Sequence, residues 1–460
     1  MCWHVPPHLR RDEPRSALRG GRGPGADRFL RPRGDPQVVS EVSSFRCVKG
    51  ALLSGTMWVT TVFLSLLVVA VSSENKQLSS YTFYIAEKSA IFAFKLYENL
   101  AKEKDLENIL FSPLMVSASL GLVALGGKSS TSYQVKTMLN ANKFTDEYFH
   151  FALEELLLEV TNSTARNVTW KLGNGLYCPS SVNVTDDFLE ASKKHYNFQN
   201  FKMNFNDKES ALNSISEWVN KSTGGKLPGI SVDLEKTDGA VIVNAIYFKL
   251  HWDERFHHKM VDRRSFLVDH SLTIFITMMH STGVYGFHED LKNKLYVLCM
   301  PLALKKSFMV FIMPYHVEPL DRLEKLLSYK QLENWLSRLD ERLVTVSLPK
   351  MVLDVTHDLQ KNLAAVGLTD AVDKAKADLS SITGKKDLYL SHIFHASALE
   401  WSTEGNPFDT SIFGTEKFHG PTLFYADHPF IFLVLDGKTR AIQFIGRLIR
   451  PKGQKMREEL

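Results

Sequence analysis

Cysteine is scarce in this chain. There are four in 460 residues, and two of them, Cys2 and Cys47, sit in an N-terminal stretch unlike the rest. Cys178 and Cys299 remain, each inside an apolar strand-like segment. That excludes a disulfide scaffold and offers no zinc spacing; two buried thiols fit the pattern better than a bridge. Catalytic signatures are missing too. No GxSxG, HExxH, phosphate-binding loop or dinucleotide fingerprint occurs, so nothing points to an enzyme, a cofactor or a metal site. Excess charge of one sign is also lacking. Of 55 Lys/Arg and 51 Asp/Glu, ten basic and five acidic residues lie in residues 1–56, which leaves 45 against 46 in the remainder. The folded part therefore has no bulk positive charge to draw nucleic acid, and Arg-rich residues 10–33 lack interleaved aromatics. After residue 80 there is no internal repeat, low-complexity segment or linker.

What is present divides the chain. Residues 1–56 are rich in Arg, Gly and Pro and read as a disordered or non-physiological extension. Met57 precedes an apolar run, Trp58 to Val71, with small residues at Ala70 and Ser72. Residues 57–72 read as a signal peptide, too short for a comfortable membrane span, which predicts no stable membrane insertion. Met57 as the true start is the preferred reading; a longer cleaved leader or a signal anchor is the alternative. Sequons at Asn162, Asn167, Asn183 and Asn220 agree with a secreted or lumenal glycoprotein.

Residues 73–451 carry the folded domain. Ala90, Phe94, Tyr97 and Leu100 share one helical face within Glu87–Ala101. Ser112-Pro113 opens a second helix, apolar almost all round and ended by Gly126-Gly127. Thr145 caps a third that runs to about Val160, and Leu212, Ile215 and Val219 mark a fourth. Strands then dominate: Ala240–Phe248, Leu295–Met300, Phe308–Met313, Val344–Leu348, Asp387–Leu399, Leu423–Leu435 and Ala441–Leu448. Helices first and mostly antiparallel strands later predict an α+β fold.

Several segments resemble the serpin family: NILFSPLMVSASLGLVALGGKSST, NAIYFKLHWDERF, VSLPKMVLD, GLTDAVDKAKADLSSITGKKDLYLSHIFHASALE, and LFYADHPFIFLVLD followed by FIGRLIRP. The resemblance spans about residues 80–451. It implies three β-sheets, about nine helices and an exposed reactive-centre-like loop at about 403–420. Gly405 would open the loop hinge, Gly405-Asn406-Pro407-Phe408-Asp409. An inhibitory serpin threads that hinge into a sheet, but Pro407 has no N–H for a ladder, and Phe408 and Asp409 stand where small residues are usual. The hinge therefore argues against protease trapping.

More specific stretches, NSTARNVTWKLG, HWDERFHHKMVDRRSF, HVEPLDRLEKLL, VTHDLQKNLA and RPKGQKMREEL, resemble the collagen-binding serpin chaperones of the endoplasmic reticulum, the colligins. That likeness implies collagen binding by Arg264, Leu267, Ser347, Leu423, Tyr425 and Asp427, in a protein that acts as a monomer. Asp427 would pair with an arginine of the triple helix, and Leu423 and Tyr425, at strand period from it, would add apolar contact. Leu267 stands where the family has Met. Taken alone, the ADHPF segment equally fits a strand end stabilised by Asp427 and His428. The tail within residues 452–460, Arg457-Glu458-Glu459-Leu460, resembles the signal read by the retrieval receptor, with Glu458 in place of Asp; it predicts residence in the endoplasmic reticulum, with leakage. Among sixteen histidines, His428, His257, His258, His280 and His316 are candidate sensors for ligand release on acidification, with His392 and His395 also noted. A protease inhibitor and a carrier of a small hydrophobic ligand are the rival readings.

Overall fold

The computed structural model describes residues 77–455 except 105, 255, 257–259 and 406–420. The expected N-terminal extension and signal peptide therefore lie outside the described residues. So do Asn406, Pro407, Phe408, Asp409, His257, His258 and the tail Arg457, Glu458, Glu459 and Leu460. Everything below concerns the unit from Leu78 onward.

The helices are α1 (Ser80–Glu103), α2 (Pro113–Gly126), α3 (Ser129–Met138), α4 (Asp146–Val160), α5 (Ser163–Arg166), α6 (Asp186–Tyr196), α7 (Lys208–Ser222), α8 (Asp321–Leu326), α9 (Tyr329–Leu336), α10 (Gln360–Ala365) and α11 (Ser380–Thr383). Local chemistry sets several of their ends. The Ser79, Ser112 and Thr145 side chains accept from the N–H groups of Thr82, Met115 and Tyr148, and so cap α1, α2 and α4. Helix α1 thus starts earlier than the apolar periodicity alone suggested. No helix of the described residues is long and apolar enough to cross a membrane.

The strands are β1 (Ile109–Phe111), β2 (Thr169–Pro179), β3 (Phe198–Met203), β4 (Ala240–Lys249), β5 (Val261–Leu267), β6 (Thr273–Asp290), β7 (Leu295–Pro301), β8 (Ser307–Pro314), β9 (Asp340–Pro349), β10 (Met351–Asp358), β11 (Leu390–Trp401), β12 (Thr422–Tyr425), β13 (Phe430–Asp436), β14 (Ile442–Leu448) and β15 (Gln454–Lys455). One sheet has the order β10-β11-β4-β2-β3. Strands β11 and β4 pair in parallel from Leu390↔Ala240 to Glu400↔Lys249, with a register shift between Leu390 and His392. Helix α7 buries Ala211, Ile215 and Val219 against Val241, Val243, Ala245, Phe394, Ala396 and Ala398, the alternate residues of those two strands. The opposite face carries Asn244, which accepts from the Ser119 hydroxyl of buried α2 at 3.0 Å.

The second hydrogen-bonded network has ten strands, in the order β1-β14-β13-β8-β7-β6-β9-β12, with β5 and β15 also on β6. Three sheets were expected. Two of them are joined here because β6 is 18 residues long. Its first part pairs with β5 and its last part with β7, while β9 spans the middle.

One expectation is corrected. Leu423–Leu435 is not a single strand but two, β12 and β13, separated by Ala426–Pro429. β12 runs parallel to β9, whereas β13 runs antiparallel to β8. Pro429 has no N–H to continue a ladder, so the apolar run breaks there and changes neighbours. Cys178 and Cys299 are buried, as read from their setting.

Candidate functional site

Parallel pairing of β12 with β9 sets Tyr425 opposite Ser347 and Leu423 opposite Thr345. Antiparallel pairing of β9 with β6 sets Ser347 opposite His280 and Thr345 opposite Thr282. Two rows of residues thus cross three strands: Tyr425–Ser347–His280 and Leu423–Thr345–Thr282. The threonine hydroxyls hydrogen-bond at 2.9 Å. Phe424 is fully buried, but Leu423 and Tyr425 are 53% and 45% exposed. Two large apolar side chains left in water at strand period form a surface fit for contact. Ser347 lies in the row yet is buried, so it supports the row rather than lining it.

Asp427 falls in the break after β12. The Leu267 N–H at the end of β5 donates to its backbone carbonyl at 2.8 Å, which brings β5 to the same corner. The Asp427 side chain is 40% exposed, and its Oδ1 lies 2.8 Å from Nδ1 of His428. His428 is buried, and its Nε2 lies 2.9 Å from the Pro314 carbonyl oxygen. A carbonyl only accepts, so Nε2 carries a hydrogen; only a doubly protonated ring then also donates to Asp427. No described residue donates to the second carboxylate oxygen of Asp427.

Arg264 is exposed on β5 and is already paired. Its guanidinium donates to Asp262 Oδ2 at 2.8 Å, while His280 Nε2 lies 2.8 Å from Asp262 Oδ1. The Arg264 guanidinium, with His280 on the other oxygen, holds the Asp262 carboxyl down at about 2. Asp262 also holds the Arg264 guanidinium above its ordinary value. Asp262 is thus a charged member of the site that sequence reasoning missed. Asp262-Arg263-Arg264 was visible as a charge cluster, but the partner His280 lies on the next strand.

Other candidates lie elsewhere. His316 is exposed in the connection from β8 to α8. His392 pairs with Asp358 at 2.7 Å in the five-stranded sheet. His395 is fully buried there, and its Nε2 accepts the Ser112 N–H. Gly405 makes an isolated bridge with Trp252, whose indole N–H donates to the Ser402 carbonyl at 2.7 Å. Asn162 and Asn183 are exposed. Asn167 is half-buried with φ 48°, and Asn220 is half-buried with its amide donating to the Leu227 carbonyl at 2.9 Å.

The serpin family model (serine protease inhibitor) matches residues 87–451. Serpin H1 of Gallus gallus is 59% identical over 394 residues, covering 86% of this chain and 97% of that protein. Serpin H1 of Mus musculus is 55% identical over 415 residues, covering 89% and 100%. The leukocyte elastase inhibitor of Equus caballus is 32% identical, covering 78% and 97%. Among solved structures, uncleaved ovalbumin aligns with TM-score 0.72 at 26% identity, covering 80% of this chain and all of that one. Human thyroxine-binding globulin aligns with TM-score 0.74 at 26% identity, covering 81% and 100%. The chain belongs to the serpin family.

Proposed function

We propose that this protein is a non-inhibitory serpin that binds the folded collagen triple helix at arginine-bearing sites, chaperones it in the endoplasmic reticulum and releases it as the pH falls. The reading rests on the resemblance to collagen-binding serpins, on similarity to Serpin H1 proteins over nearly their whole length, and on one observation above all. Exposed Leu423 and Tyr425 lie beside an aspartate whose second carboxylate oxygen accepts from no described residue.

A triple helix has no free edge, and glycine at every third residue leaves only the other side chains to read. A ligand arginine reaching the open oxygen of Asp427 makes a charge-assisted contact, and Tyr425 and Leu423 cover the adjacent prolines. Arg264, held by Asp262, adds a fixed positive charge that turns away ligand lysines and arginines out of register. The Pro314 carbonyl keeps the His428 ring from turning away from Asp427. Histidine is the side chain whose charge changes between neutral and mildly acidic compartments. A second proton on that ring lands on Nδ1, and the imidazolium then competes with the ligand arginine for the same carboxylate. A protein that binds only the folded trimer stabilises it by mass action and acts as a monomer.

The test is retention on a triple-helical peptide containing Gly-Pro-Arg at about pH 7.5 and about pH 5.5, with Asp427→Asn beside wild type. Wild type is retained at the higher pH only, and the variant at neither; equal retention of both proteins defeats the reading. For residence, removal of Arg457–Leu460 increases secretion from cultured cells, and unchanged secretion defeats the retrieval role. The protease-inhibitor reading is checked by incubation with trypsin-like proteases, where a complex stable to denaturant would establish it.

A further inference from the structure

Cationic side chains from three segments converge on one concavity next to Pro314, whose carbonyl faces the His428 ring. The turn between β6 and β7 brings Lys292 and Lys294, the β8–α8 connection brings Tyr315 and His316, and Glu318 and Arg322 close the far side. The space between them is about 360 Å³. Its walls are fixed. The Tyr315 N–H donates to the Lys294 carbonyl at 3.0 Å, and the Arg322 guanidinium donates to the Asn293 carbonyl at 2.5 Å. Tyr315 stacks on Tyr296 at 4.4 Å between centroids.

The nearby carboxylates are already engaged. Glu318 accepts from Arg322, Glu289 accepts from the Tyr315 hydroxyl, and Asp290 accepts from Asn293 and from the Trp335 indole. Among the described residues neither Lys292 nor Lys294 makes an ion pair or a side-chain hydrogen bond. Lys294 closes the β6–β7 turn in the left-handed region, at φ 51°. Two exposed ammonium groups with no ion-pair partner among the described residues, and the His316 ring, therefore border one hollow, where a bound anion would offset the repulsion between the lysines.

We infer that this hollow is a binding site for a doubly charged oxyanion, a phosphate or sulfate ester. Lys292 and Lys294 carry the charge recognition, and the His316 ring supplies a directional donor. None of the proposed collagen contacts lines this site.

The experiment is calorimetric titration of the full chain with inorganic pyrophosphate at low ionic strength. Saturable one-to-one binding is expected, weakened at least about tenfold, or about 1.4 kcal/mol, in Lys292→Ala/Lys294→Ala. It is unchanged in Lys193→Ala/Lys194→Ala, which removes two cations of α6 instead. Phosphoserine and a sulfated disaccharide form two further arms, and the tighter binder names the ester. No saturable binding in any arm, or equal loss in both double variants, overturns the assignment.

Discussion

Nδ1 of His428 lies 2.8 Å from Oδ1 of Asp427, so the proposed ligand-binding carboxylate and its competitor are neighbours in sequence as well as in space. The other ring nitrogen faces the Pro314 carbonyl, and the ring has no second orientation that keeps both contacts.

Replacing His428 by Gln keeps a donor near Pro314 and removes the ionisable ring. The expected result is binding to the triple-helical peptide that is near wild type at about pH 7.5 and changes less than about threefold at about pH 5.5. Wild type weakens tenfold or more over that range, since each 1.4 kcal/mol of competition is a factor of ten. Isothermal titration at the two pH values checks it.

Leu423, Phe424 and Tyr425 separate binding from stability in three consecutive residues. Tyr425→Ala and Leu423→Ala each weaken peptide binding by about 1–2 kcal/mol and lower stability far less than Phe424→Ala, because both side chains are about half exposed. Phe424→Ala opens a cavity beside Phe311 and costs about 3–5 kcal/mol of stability. Denaturant melts and peptide titrations on the three variants distinguish the two effects.

Acid weakens the fold through buried histidines. Burial pushes His395 down to about 3, and burial is also the largest cause that takes His357 and His150 down to about 4. Folded, the three stay neutral while the unfolded chain takes up protons near its ordinary value. Their contribution is complete above about pH 6.5 and is lost as the pH falls from there toward about 4, at about 1.4 kcal/mol per pH unit for each group. Urea midpoints between about pH 7 and about pH 5 should fall, and His395→Gln should flatten the slope.

The sequons are unequal. When the protein is made in secretory cells, Asn162→Gln and Asn183→Gln should each raise electrophoretic mobility by one glycan, since both residues are exposed. Asn220→Gln should not, because the amide nitrogen that would carry the sugar is committed to the Leu227 carbonyl. Peptide mapping by mass spectrometry settles the occupancy of all four.

Much of the fold was legible where chemistry is local. Ser112-Pro113 and Gly127 bound α2 where expected, and Thr145 caps α4. What was not legible depends on register. β6 carries Gly283, Gly286 and several polar residues, so it has no simple apolar alternation, and it was missed as a strand. The break at Ala426–Pro429 was hidden inside an apolar run, although Pro429 was the available signal. Leu423 and Tyr425 could be chosen by resemblance and period two, but Asp427 by resemblance alone, because β12 ends at Tyr425 and the strand period does not reach it. Asp262 could not, because its role comes from a histidine 18 positions away that only antiparallel pairing delivers.

β6 runs without interruption from Thr273, beside the proposed binding surface, to Asp290, which accepts from the Trp335 indole of α9. At about 3.3 Å per residue it is a single beam of nearly 60 Å. A sheet corner built on such a beam cannot melt while the rest stays ordered. Amide exchange in β6 and β9 should therefore proceed only with global unfolding, and grip on a rod-like ligand should persist at full strength until the whole domain gives way at once.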